Sequence, residues 1–159
     1  MLRRCQASDI PSLYEIELKS FKPDDIYSVE LLKFLCSYCY DNSYVYVAGG
    51  KVVGYIVTCI EGGRAHVIAI AVDPDFRGRG VGKALLCTAL RLLADGKVSD
   101  VFLEVRVSNE PALRLYQAAG FKVVELLKSY YSDGEDGYRL SLGDRKKAAE
   151  FCGRLSEKI

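Results

Sequence analysis

Residues 66–94 read HVIAIAVDPDFRGRGVGKALLCTALRLLA. An apolar run leads into a turn holding three glycines and two arginines, and at Gly80 the period changes to a helical stripe of Val81, Ala84, Leu85, Thr88, Ala89 and Leu92. A strand feeding a glycine turn that opens a helix commits the chain to a sheet with a helix crossing one face. The strand is apolar throughout, which predicts a central strand covered on both faces. The turn itself predicts an anion site: first-turn N–H groups lack intrahelical partners, the helix dipole puts positive potential there, and glycine lets phosphate oxygens approach.

The other segments supply more strands and helices. LRRCQ reads as a short first strand, and Ser8 and Asp9 offer a cap to a helix running to about residue 21, with Pro11 in its first turn. KPDDIYS breaks that helix before helical spacing resumes over residues 29–40. YVYVAGGKVVGYIVTCI predicts a hairpin turning at Gly49 and Gly50, and DVFLEVRV a fifth strand. NEPALRLYQAAG predicts a helix capped by Asn109 and closed by Gly120; FKVVELLKSYY and GYRLSL are the sixth and seventh strands. The fold class expected is α/β (α+β), a mixed sheet of about seven strands with helices on both faces. Residues 1–159 form one domain in this reading, with 144–159 a polar helical extension.

With 22 basic against 21 acidic residues, no surplus of positive charge argues for a nucleic acid or an anionic membrane. MLRRCQASDI lacks the apolar core of a secretory signal, so the chain reads as cytoplasmic. The cysteines at 5, 36, 39, 59, 87 and 152 sit mostly in apolar periodic segments, which predicts buried thiols, although disulfides do occur in intracellular proteins of hyperthermophiles. Cys36 and Cys39 have CxxC spacing, yet zinc would need two further ligands and the sole histidine, His66, is far off in sequence; no metal is expected.

Two familiar phosphate loops fail on inspection. A dinucleotide G-x-G-x-x-G would need glycine where Lys83 stands, and a P-loop would need glycine at Arg77 and a hydroxyl residue at Ala84. What fits is R-x-x-G-x-G over residues 77–82, which resembles the pyrophosphate loop of the GNAT superfamily of N-acetyltransferases. LEVRVSNEPALRLYQAAGF and KSYYSDGEDGY resemble the branch that acetylates protein α-amino groups, including the ribosomal-protein alanine acetyltransferases and the archaeal and NatA-type catalytic subunits. The likeness runs from residue 2 to about 142.

The resemblance implies acetyl-CoA as cosubstrate, bound where strands four and five splay apart. Ile70, Ala71 and Val72, then Arg77, Gly78, Arg79, Gly80, Val81, Gly82 and Lys83, with Asn109 and Tyr116, would hold it. It implies Glu104 as general base, directly or through water, His66 as a second candidate base, and Tyr116 as the acid beside the departing sulfur. From periodicity alone a solvated face or a pair with Arg106 is the favoured reading of Glu104, a packed amphipathic position that of Tyr116, and a local hydrogen bond that of His66. Phe21, Tyr27, Tyr130 and Tyr131 would bind the acceptor, a protein or peptide N-terminus; β packing is the plainer reading of the last two. FKPDDIY departs from the relatives' Phe-Pro and Leu-Pro-Glu loops, so no substrate preference carries over. An auxiliary subunit stays open, as do a lysine or small-amine acceptor and a non-catalytic CoA-binding module.

Overall fold

The structure, a computed structural model, describes residues 1–153. Seven strands form one sheet: β1 (Leu2–Arg4), β2 (Ser43–Ala48), β3 (Lys51–Glu61), β4 (Arg64–Val72), β5 (Asp100–Arg106), β6 (Phe121–Leu127) and β7 (Gly137–Leu142), in the spatial order β1-β2-β3-β4-β5-β7-β6. Every pairing is antiparallel except β4 with β5. A parallel neighbour requires a crossover, and α3 (Val81–Ala94) provides it. The remaining helices are α1 (Ile10–Ser20), α2 (Val29–Tyr38), α4 (Glu110–Ala118) and α5 (Arg145–Cys152). Of residues 144–159, expected as a polar helical extension, α5 takes Arg145–Cys152, and 154–159 lie outside the described residues.

The helices cover both faces, as expected. Leu85, Leu86, Leu90 and Leu93 of α3 pack with Val53 and Ile56 of β3 and with Val101, Leu103 and Val105 of β5. On the other face Leu13 and Ile16 of α1 and Leu32 and Leu35 of α2 pack with Val45, Tyr55 and Val57. Gly54 brings α3 close, since a Cβ there would stand 3.0 Å from both Leu85 Cδ1 and Val81 Cγ1. The first turn of α3 is therefore pressed against β3, beside the end of β4.

Three local expectations are corrected. β4 begins at Arg64, two residues before His66, and its exit half is covered only in part on both faces: Ala65 and Val67 are buried, while Ile70 and Val72 on the α3 side and Ile68 and Ala69 on the α1 side are half-buried on the wall of a cleft. β6 ends at Leu127, short of the tyrosines. Ser129 turns the chain, taking a φ of 49° and donating its N–H to Asp136 Oδ1 at 2.8 Å. Tyr131 N–H then bonds Glu135 O at 3.2 Å, which closes residues 131–135 into a compact loop.

The third correction concerns the cysteines. Cys39 and Cys59 form a disulfide, as do Cys87 and Cys152, with Cα separations of 5.1 and 5.8 Å; Cys5 and Cys36 are buried thiols whose sulfurs lie 2.7 Å apart. Packing of α2 on β3 and of α5 on α3 makes these pairs, which linear spacing cannot reveal. Among the described residues no group of three or more His, Cys, Asp or Glu side chains stands ready to hold a metal ion, and no helix is long and apolar enough to cross a membrane.

The Cys87–Cys152 bridge closes 65 residues of chain. A crosslink over that span restricts the unfolded ensemble by up to about 4 kcal/mol. Replacing both cysteines with serine is expected to lower the denaturation midpoint and to take ~2–4 kcal/mol from the unfolding free energy. An unchanged midpoint would show that the bridge does not constrain the unfolded chain.

Candidate active site

β4 and β5 pair only at Arg64 with Asp100, Ala65 with Val101 and His66 with Phe102. Beyond these three pairs the strands diverge. On the other edge of β4 the register against β3 slips between Val57 and Thr58, leaving Ile68 without a partner in β3 and bending the strand away. A cleft of about 790 Å³ opens in the wedge. Ile70, Ala71, Val72, Arg77, Gly78, Gly80, Val81, Gly82 and Lys83 line one end; Glu104, Asn109 and Tyr116 line its middle; and Phe21, Tyr27, Tyr130 and Tyr131 line the other end. Of the residues singled out from sequence only Arg79 and His66 are missing from the lining: Arg79 lies over the Phe76 ring at 5.0 Å, and His66 stands behind Glu104.

The glycine end is built from backbone. Gly80 caps α3 in the left-handed region, φ 83°, and Gly78 takes φ 76°, conformations that a side chain disfavours. A Cβ at either would meet nothing within 4 Å, so these glycines border open space. The first intrahelical bond runs from Ala84 N–H to Gly80 O at 3.0 Å, which leaves the N–H groups of Val81, Gly82 and Lys83 outside the helical ladder. With Arg77 and Lys83 beside them, these donors make a cradle suited to a multiply charged anion.

In the middle, alternation along β5 turns Glu104 and Arg106 toward the cleft and sets Val101, Leu103 and Val105 in the core, where Leu103 and Val105 also border the cleft. Glu104 is not paired with Arg106. Its Oε1 lies 2.6 Å from His66 Nε2, and its Oε2 accepts from Arg139 Nε at 3.0 Å. Burial pushes this carboxyl up, but the hydrogen bonds and charges of His66 and Arg139 outweigh it and hold Glu104 below the usual carboxylate range. An ionised carboxylate only accepts, so His66 Nε2 carries the hydrogen between them. The imidazole stacks on Phe102 at 4.4 Å, which fixes the ring plane. Asn109 caps α4 through Oδ1 to Ala112 N–H at 3.3 Å, leaving its amide N–H groups for the cleft. Tyr116 sits on the next turns of α4; burial pushes its phenol well up, so it keeps its proton at neutral pH.

Two loops frame the far end. Tyr27, between α1 and α2, donates its N–H to Glu17 Oε1 at 3.0 Å and its hydroxyl to Ile68 O at 3.2 Å. Tyr55 donates its hydroxyl to the other Glu17 oxygen, and burial holds the Glu17 carboxyl above its usual range. Tyr130 and Tyr131, between β6 and β7, meet edge to face at 5.1 Å. Arg106 joins the two loops: Nε and Nη2 donate to Asp25 at 2.7 Å each, and Nη1 donates to Asp133 and Glu135. The Glu135 backbone N–H and then Arg106 hold the Asp133 carboxyl down to about 2.

Sequence reasoning passes over Glu17, Arg139 and the partners of Arg106. One local signal exists: Glu17 shares the stripe of α1 that buries Leu13 and Ile16.

The Acetyltransferase (GNAT) family model matches residues 10–121. The chain belongs to this family. It is therefore an acyltransferase. A protein named N-alpha-acetyltransferase in Sulfurisphaera tokodaii is 42% identical over 105 residues, 58% of this GNAT chain and 63% of the relative. Another of that name in Sulfolobus acidocaldarius is 36% identical over 155 residues, 88% and 90% of the two chains. The crystal structure of Ard1 from Thermoplasma volcanium superposes with a TM-score of 0.83 at 34% identity, covering 89% of this acetyltransferase and 95% of that chain.

Proposed function

We propose that this acetyltransferase moves the acetyl group of acetyl-CoA directly to the α-amino group of a protein or peptide N-terminus, as a single domain. The observation that carries the choice of acceptor is the joining of the two far-end loops through Arg106. A rim closed on both sides admits a chain end more readily than a lysine carried on continuous backbone. The names of the two relatives point the same way.

The cradle at residues 77–83 fits the pyrophosphate of acetyl-CoA, which supplies the activated acetyl thioester when bound. Amide formation then needs an uncharged amine and a proton for the departing thiolate. Glu104 stands ionised in the cleft and takes the ammonium proton, directly or through water. His66 and Arg139 hold its two oxygens in place. Tyr116, protonated, donates to the leaving sulfur as the thioester C–S bond breaks, and takes back, through water, the second proton that the attacking nitrogen sheds on becoming an amide.

Gly80→Asp tests the cradle. Aspartate is among the better N-caps and tolerates left-handed backbone, so the fold is expected to hold while a negative charge enters the phosphate site. CoA affinity measured by calorimetry is expected to fall about tenfold or more, at least ~1.4 kcal/mol. Unchanged affinity in the folded variant would refute the assignment.

The acceptor reading is tested by transfer from labelled acetyl-CoA to peptides varied at their first two residues, with the acetylated nitrogen mapped by mass spectrometry. Label on the α-nitrogen is expected. Label confined to lysine side chains or to a small amine would overturn the choice of acceptor, and no transfer to any amine would leave a CoA-binding module.

A further inference from the structure

We propose that Arg106 is a positioning residue for the acceptor, tying the α1–α2 loop to the β6–β7 loop so that the acceptor channel is formed before any substrate arrives; this rests on the amine-acetylating reading above. Arg106 lies one alternation beyond Glu104 on β5, and its side chain is 10% exposed. Its fork takes Asp25 with both oxygens, from 81 residues away in sequence, and Nη1 meets Asp133 at 2.9 and 3.0 Å and Glu135 at 2.7 Å. The Tyr131 ring lies 4.2 Å from the guanidinium carbon, so the same group sets the plane of an acceptor-side tyrosine. Lys22 adds a weaker link between the loops, to Asp133 at 3.4 Å.

Arg106 Nε, Nη1 and Nη2 all donate to these carboxylates, so the guanidinium is committed to holding the loops and not to meeting a substrate. What it does instead is tie two connections to each other. Loops that must be ordered by the substrate subtract that conformational entropy from acceptor affinity, whereas loops already fixed do not. Loss of Arg106 has a second effect. It leaves Asp25, Asp133 and Glu135 facing one another with no shared cation, and their repulsion spreads the loops apart. Lysine, a point charge with no planar fork, cannot take Asp25 through two donors while also holding Asp133 and Glu135.

The test is steady-state kinetics of the full chain with acetyl-CoA and whichever acceptor the nitrogen mapping identifies, so that a failed α-amine assignment leaves this question answerable. Arg106→Met is expected to raise the acceptor KM about tenfold or more. The acetyl-CoA KM, CoA affinity by calorimetry and the shape of the pH profile should stay within twofold of wild type. Arg106→Lys should recover part of the loss, and Asp25→Asn should raise the acceptor KM in the same direction. In the Asp25→Asn background the further effect of Arg106→Met should be smaller than in wild type, because the shared contact is already gone. Equal rises in both KM values, an unchanged acceptor KM, or fully multiplicative effects of the two changes would overturn the proposal. Asp25 lies on a surface 3₁₀ turn, so its variant decides the question alone if Arg106→Met does not fold.

Discussion

Glu104→Gln is expected to cut turnover by roughly 10²–10³-fold while leaving CoA affinity near wild type, because the amide keeps the side chain's size but cannot take a proton. The structure separates this carboxylate from the pH dependence that surrounds it. His66 and Arg139 hold Glu104 below the ordinary carboxylate range, so Glu104 is already ionised well below neutral pH. A limb of the kcat profile between pH 6 and 7 therefore does not report its titration. His66→Gln takes away the partner of Glu104 Oε1 and is expected to lower kcat less than Glu104→Gln does, because the carboxylate itself stays. The acceptor amine also titrates, at about 7.7, so the difference between variant and wild-type profiles is the quantity to read. If Glu104→Gln works at the wild-type rate and His66→Gln loses activity throughout, the two roles are reversed.

The same carboxylate links the site to stability. A group whose folded pKa is depressed contributes stability that is present above its unfolded value, about 4.3 for glutamate, and is lost as pH falls through the folded value.

Tyr116→Phe is expected to lower kcat on the order of 10²-fold with little change in either KM. One hydroxyl is removed, and the ring that packs edge to face on Phe121 at 5.9 Å stays. Burial keeps that phenol protonated far above neutral pH, so the loss should be the same from pH 6 to pH 9. Restored turnover with acyl donors whose thiols leave more easily would tie the hydroxyl to the departing sulfur. A wild-type kcat would remove Tyr116 from the chemistry.

Much of this was legible in the chain itself, for local reasons. The turn at residues 77–82 announces its cradle because glycine placement and helix onset are adjacent in sequence, and Asn109 announces its cap three residues before the N–H it accepts. Alternation along β5 separates Glu104 from the core without any tertiary information. Other features needed the fold. Glu104 and Arg106 are two residues apart and carry opposite charges, yet each finds its partners elsewhere, Glu104 in His66 and Arg139 and Arg106 in Asp25, Asp133 and Glu135. Tyr130 and Tyr131 read as strand by propensity, but Ser129 and Asp136 spend their polar groups on turning the chain instead. The four cysteines that pair do so across 20 and 65 residues, a choice made by packing rather than spacing.

The wedge between β4 and β5 has a consequence for how long the protein lasts in the cell. Past His66 and Phe102, two strand edges face each other within one sheet, and their backbone groups on those sides bond to no neighbouring strand. The sheet's two antiparallel halves are then held at the middle by three residue pairs and by α3. A ligand that fills the wedge binds the folded chain and not the unfolded one, so at a hundred times its dissociation constant it adds about 2.7 kcal/mol to folding. At that ligand concentration the population of unfolded, protease-sensitive chains falls by roughly a hundredfold relative to the ligand-free protein. Turnover of the protein would follow the supply of the molecule it consumes.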